Sequence, residues 1–164
     1  MTVEAEWRTM MPGDLEEVVR IADRVHPDFR EPVEVFADRL RIWPAGALVC
    51  HLKGALCGYA IGHPVRFPDI PALGSVLGEL PENADAFYVH DVALLPEMRG
   101  RSLSGGAIES LLEGVPEVDR ACLISVYGTA VFWRRHGFRE APDAVPREKL
   151  ASYGPEAVFM VRDL

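Results

Sequence analysis

The sequence has few cysteines, no long apolar run and no excess of basic charge, and each shortage excludes something. Three cysteines in 164 residues, Cys50, Cys57 and Cys122, are odd in number and lie inside apolar runs. They read as buried free thiols in a reducing, cytoplasmic setting rather than as a disulfide framework. No apolar stretch approaches the ~20 residues of a membrane helix, and the opening MTVEAEWRTM is acidic, unlike a signal peptide. A membrane partner is therefore not expected. Asp and Glu outnumber Lys and Arg by 25 to 17, giving a net charge of −8. Duplex nucleic acid calls for a basic footprint, so nucleic acid is a poor partner. The histidines at 26, 51, 63, 90 and 136 show no ligand spacing with the cysteines, and no Ser/His/Asp or Cys/His pairing emerges. Neither a metal centre nor a nucleophilic triad is expected.

What is present is globular. Hydrophobic residues at 49% and charged residues at 26% exclude a disordered chain. The length suits one domain over 1–164, which buries roughly 70% of its unfolded surface without a disulfide or metal staple. Apolar alternation predicts a strand over Val3–Met10, and Asp14 is placed to cap a helix carrying Leu15, Val18, Val19, Ala22 and Val25 on one face. His26-Pro27 ends that helix. A second helix follows over Pro32–Ile42, then strands at Ala47–Leu52 and Ala55–Ile61. Between His63 and Asp85 four prolines break the pattern, with a helical turn expected around Leu73–Leu80. Trp43 and Phe67, which flank the early helices and this connection, are candidate walls of an acceptor pocket, with ordinary packing as the equal alternative.

Order resumes with a strand at Ala86–Leu95 and a helix at Leu103–Glu113 stopped by Gly114 and Pro116. A strand at Ala121–Tyr127, a helix at Thr129–His136, and strands near Phe138–Glu140 and Ala157–Arg162 close the chain. The expected class is α/β: a mixed sheet of six or seven strands flanked by about four helices. An exposed final strand would be open to pairing between subunits as a homodimer.

The segment Pro96-Glu97-Met98-Arg99-Gly100-Arg101-Ser102-Leu103-Ser104 sits where a strand hands over to a helix. The first helical turn leaves backbone N–H groups unpaired at the positive end of the dipole. Small residues let a phosphate approach those groups, and two arginines add charge. A flexible loop with solvated arginines is the competing reading. No Gly-Lys-Ser/Thr follows, so this is not a Walker loop, and the dinucleotide glycines are missing.

Asp91-Val92-Ala93-Leu94-Leu95-Pro96 followed by Arg99-Gly100-Arg101-Ser102-Leu103-Ser104 resembles the acetyl-CoA-binding motif of the GNAT acyltransferases, Q/R-x-x-G-x-G/A after a strand and a proline. Both small positions, Ser102 and Ser104, depart from it. Serine tolerates positive φ less well than glycine and brings a hydroxyl to the pyrophosphate. Gly128 to Phe138 resembles the family's late helix ending in Gly-Phe. The resemblance implies an N-acetyltransferase whose amine acceptor attacks acetyl-CoA as cosubstrate, with no metal. It implies pyrophosphate on Arg99, Gly100, Arg101, Ser102, Leu103 and Ser104. It also implies a pantetheine arm along the backbone of Val92, Ala93 and Leu94, beside Phe132 and Trp133. The Leu94 amide is the candidate oxyanion donor.

For proton transfer the same strand offers His90 and Asp91; neighbouring strand residues point to opposite faces, so at most one is expected to face a given site. Trp133 stands where relatives place a tyrosine acid, and an indole N–H does not titrate there. Tyr127 is the nearest substitute. A coenzyme-binding sensor without turnover, and an enzyme for a longer acyl-CoA, are the competing functions.

Overall fold

The computed structural model describes residues 4–115 and 117–164. Among these, seven strands and four α-helices run β1 (Glu6–Thr9), α1 (Leu15–Val25), α2 (Val33–Ile42), β2 (Ala47–Leu52), β3 (Ala55–Val65), β4 (Ala86–Leu94), α3 (Leu103–Glu113), β5 (Arg120–Ser125), α4 (Ala130–Arg135), β6 (Arg139–Glu140) and β7 (Val158–Asp163). One sheet holds all strands in the order β1-β2-β3-β4-β5-β7-β6. The β4–β5 pair is parallel and every other pair is antiparallel. Helices cover both faces. Ile108 and Leu111 of α3 cluster with Phe87 and Leu123 of the sheet, whereas Val18 and Ile21 of α1 and Phe36 of α2 cluster with Ile61. Each such side chain contributes ~1.5–3 kcal/mol. No helix among the described residues is long and apolar enough to cross a membrane, and no group of three His, Cys, Asp or Glu could hold a metal. The three cysteines are free and buried.

Several boundaries differ from expectation for physical reasons. β1 is shorter than the alternation suggests, and Val3 and Pro116 lie outside the described residues. β3 continues past Ile61 through Pro64, because β2 ends opposite Ile61 and leaves that side of β3 unpaired. A missing N–H costs nothing there. Asp14 occupies the cap position of α1 but does not cap it. Its carboxylate reaches back to accept from the Met11 N–H at 2.8 Å and the Arg8 guanidinium at 2.7 Å. β5 ends at Ser125, since Thr129 Oγ1 donates to Val126 O at 2.7 Å and Tyr127 turns into the left-handed region at φ +55°. A 3₁₀ helix over Arg147–Tyr153 was not legible in the sequence.

The helical turn expected at Leu73–Leu80 does not form. The connection's backbone donors go to side chains instead. Gly74 N–H donates to Glu31, Leu77 and Gly78 N–H to Asp38, and Leu73 N–H to Ser152 Oγ, at 2.8–3.0 Å. The final strand is not an open edge either, because β7 lies between β5 and β6. Trp43 packs into the core under α3, and Phe67 packs on Phe159. Neither walls the cavity described next.

Candidate active site

β4 and β5 are in register only where Phe87–Val89 faces Ala121–Leu123. Beyond that β4 runs on beside β3 to Leu94, and β5 beside β7 to Ser125, so the two parallel strands part. Leu95 N–H donates to Cys57 O at 2.9 Å, which fixes the alternation of the β3–β4 ladder. Val92 and Leu94 turn their N–H and C=O groups toward the gap. Backbone groups there need a partner, and an extended chain bearing amides supplies one. Ala93 does not fit its expected role. Its backbone pairs with Tyr59 of β3, and its side chain is buried under α1.

The strand then turns through Pro96–Met98 into a loop with Gly100 at φ +78° and Ser102 at φ +60°, and α3 begins at Leu103. The Trp7 indole N–H donates to Leu103 O at 2.9 Å and pins the first turn of α3 to the sheet edge. Arg99, Gly100, Arg101 and Ser102 are exposed. Among the described residues neither arginine has an ion-pair partner. The nearest acid in sequence, Glu97, is engaged by Arg24 at 3.1 Å. Two uncompensated cations beside free helix N–H groups fit a pyrophosphate. Ser104 lies inside the first turn of α3, so only Ser102 bears the positive-φ cost foreseen for both. Ser102→Gly is expected to stabilise the fold by ~0.5–1 kcal/mol, read as a rise of ~1–3 °C in Tm by calorimetry. A drop in Tm would show that the hydroxyl matters more than the strain.

A cavity of about 130 Å³ occupies the gap between β4 and β5 and has two chemically different walls. Toward α3 and α4 it is apolar: Val89, Val92, Leu123, Phe132 and Trp133. Toward the α1–α2 connection it is polar: His26, Glu31, His90, Asp91, Tyr127 and Tyr153. His90 and Asp91 both line it, against the expectation from regular alternation. The β3–β4 register slips so that Ile61 faces Asp91 while Gly62 faces Val89. His90 is thus the extra residue of a bulge, and adjacent side chains share a face. Gly62 permits this, since a Cβ there would stand 2.6 Å from the Phe87 ring.

Two imidazole–carboxylate pairs result. His26 Nε2 meets Asp91 Oδ1 at 2.9 Å, and the Tyr59 hydroxyl donates to Asp91 Oδ2. His90 Nε2 meets Glu31 Oε1 at 2.7 Å. Burial alone would lower the His26 pKa, but the charge and hydrogen bond of Asp91 more than offset it and hold the imidazole above its ordinary value. Burial likewise opposes ionisation of Asp91, yet His26 and Tyr59 bring its carboxyl below the usual range. Glu31 is also lowered, burial being outweighed by His90 and the Gly74 N–H. The Nδ1 atoms of His26 and His90 are buried without a partner. In the neutral tautomer with Nε2–H directed at the carboxylate, Nδ1 carries the lone pair. Tyr127 stacks over His26 at 6.0 Å, and its hydroxyl lies 3.4 Å from Asp28. Burial and the Asp28 charge hold that phenol above its ordinary pKa, so it keeps its proton.

His26, Glu31 and Tyr59 were not singled out from the sequence. His26 stood in a helix-ending His-Pro pair, and nothing local shows that the connection folds back over β4. Trp133 is buried, edge to face with both Phe132 and Phe138.

No family model and no curated protein sequence matches the chain. Solved structures do. Ard1 from Thermoplasma volcanium superposes with a TM-score of 0.72 at 18% identity, over 99% of both chains. The loading GNATL domain of CurA from Lyngbya majuscula gives 0.75 at 14%, over 98% of both. Arabidopsis thaliana Naa50, in complex with a bisubstrate analogue, gives 0.70 at 11%, over 97% of both. At these identities the likeness is one of fold.

Proposed function

We propose that this chain, which has the fold shared by GNAT acetyltransferases, transfers an acetyl group from acetyl-CoA to a primary amine. The observation that carries this is the cavity in the β4–β5 gap, apolar on one wall and lined by paired imidazoles and carboxylates on the other. A thioester lying along Val92 and Leu94 would present its carbonyl between those walls. Arg99, Arg101 and the amides at the start of α3 would hold the pyrophosphate, and Phe132 and Trp133 would flank the pantetheine arm.

The acceptor enters from the polar wall as an ammonium and must lose a proton before it attacks. His26 takes that proton, and Asp91 orients the ring and stabilises the imidazolium. The His90–Glu31 pair forms the adjoining wall. The neutral amine forms the N–C bond, the carbonyl oxygen gains negative charge facing the Leu94 N–H, and collapse breaks the C–S bond. The thiolate departs from a thiol of pKa ~8.5, and Tyr127 is the phenol available to return a proton. The second proton on the nitrogen leaves to solvent.

Calorimetric titration with acetyl-CoA, followed by thiol release with amines, tests this reading. Arg99→Ala combined with Arg101→Ala is expected to weaken coenzyme binding about tenfold with the fold intact, since both side chains are exposed. Unchanged affinity would remove the loop from the site. Binding without turnover over a broad amine panel would favour a coenzyme sensor.

A further inference from the structure

The inner cavity does not end at the polar wall. Phe29, Val126, Tyr127 and Tyr153 also line a second cavity of about 300 Å³, which opens outward between the α1–α2 connection and the turn before β7. The four shared residues make the two cavities neighbours. Apart from the imidazoles of His26 and His90, the ionisable groups lining them are acids and phenols. Glu31 and Asp91 stand in the inner part, Asp28 and Glu156 in the outer part, and no Lys or Arg lines either.

The inner carboxylates are already engaged, by His90 and Gly74 N–H and by His26 and Tyr59. The outer ones are not. Asp28 has only the 3.4 Å contact with the Tyr127 hydroxyl, and Glu156 has no ion-pair partner among the described residues. An independent feature points to a ligand in the inner cavity. His90, whose side chain is 1% exposed, lines the inner cavity with an Nδ1 that has no partner. Between the inner and outer acids stand the rings of Phe29 and Tyr127, edge to face at 5.1 Å. Aromatic faces and free carboxylates together favour a cation.

We infer that the two cavities join and that the acceptor is a small dication, an α,ω-diamine, with one amine at the His26–Asp91 pair and the other held in the outer cavity by Asp28 and Glu156. This rests on the acyltransferase reading and adds the acceptor's class. An α-amino acid or ω-amino acid is disfavoured on the same grounds, because its carboxylate would meet Asp28 and Glu156 in the outer cavity, which no Lys, Arg or His lines. A simple monoamine fits the inner part and gains nothing from the outer one.

The test uses the full chain with acetyl-CoA and thiol release. The acceptors are diamines with three to six carbons between the nitrogens, n-butylamine and 4-aminobutyrate. The best diamine is expected to exceed n-butylamine about tenfold in kcat/KM, from two exposed charge contacts and an aromatic face. The amino acid should fall below both. Asp28→Asn combined with Glu156→Gln should bring the diamine-to-monoamine ratio close to one, and added salt should lower it in the unaltered protein. Failure of acetyl-CoA to bind by calorimetry would overturn the acyltransferase reading and this one together. Coenzyme binding with an equal or higher rate for the monoamine or amino acid would overturn the diamine alone. So would turnover of none of them, or a ratio that survives the double substitution.

Discussion

Asp91→Asn is expected to fold as the parent does and to lose roughly two to three orders of magnitude in kcat. The side chain is nearly isosteric, and its amide satisfies the neighbours. The carbonyl oxygen accepts from His26 Nε2–H, while the NH₂ donates to the Tyr59 hydroxyl, which reverses its role from donor to acceptor. What disappears is the negative charge that stabilises the imidazolium. In the unaltered protein His26 titrates above its ordinary value because of that charge. The neutral, proton-accepting form is therefore present above the raised pKa, and kcat should climb with pH through it. Without that charge, burial, the largest influence on His26, is opposed chiefly by the smaller effect of Glu31, so the His26 pKa falls and the rising limb should move to lower pH while the plateau falls. A purely structural role for Asp91 would lower activity without moving the limb. An unmoved limb would remove His26 as the base, and an unchanged kcat would remove the pair from the chemistry.

The sequence displays the β4 segment and the loop after it because their signals are local. Alternation marks Ala86–Leu94, and a proline, two arginines and small residues mark the turn into α3. His90, Asp91 and Tyr127 could be picked out for the same reason. Their partners could not. His26 and Glu31 reach the site only because α1 and α2 pack on the sheet and bring their connection over β4, a contact 59 to 65 residues away in the chain. The shared face of His90 and Asp91 depends on a register slip against β3, which the β4 sequence does not encode by itself. The connection after β3 defeated the helical reading because its amides are bound by carboxylates on α2 and before it. A short-range pattern does not report a side chain some 40 positions away.

Those carboxylates set the largest expected effect on stability. Asp38→Ala is expected to cost ~3–5 kcal/mol, because it leaves a buried arginine without its counter-charge. The Asp38 side chain is 3% exposed and the Arg39 side chain 0%, with Nη1 of Arg39 at 2.8 Å from Oδ2. Burial would push the Asp38 carboxyl up, but the Leu77 and Gly78 N–H groups and the Arg39 guanidinium outweigh it and hold the group ionised. Without Asp38, Arg39 would retain only its bond to Ser75 O at 2.9 Å, since its Nε and Nη2 already lack partners. Two backbone donors of the connection would be freed as well, at ~1 kcal/mol each. Asp38→Asn should cost less, because one carbonyl oxygen still accepts from the connection. Pairing Asp38→Ala with Arg39→Met should recover part of the loss, as the stranded charge is then removed with its partner. Urea denaturation of the three proteins measures these differences. A single-variant cost below ~1 kcal/mol, or a double variant no better than the single, would mean that water already reaches this pair.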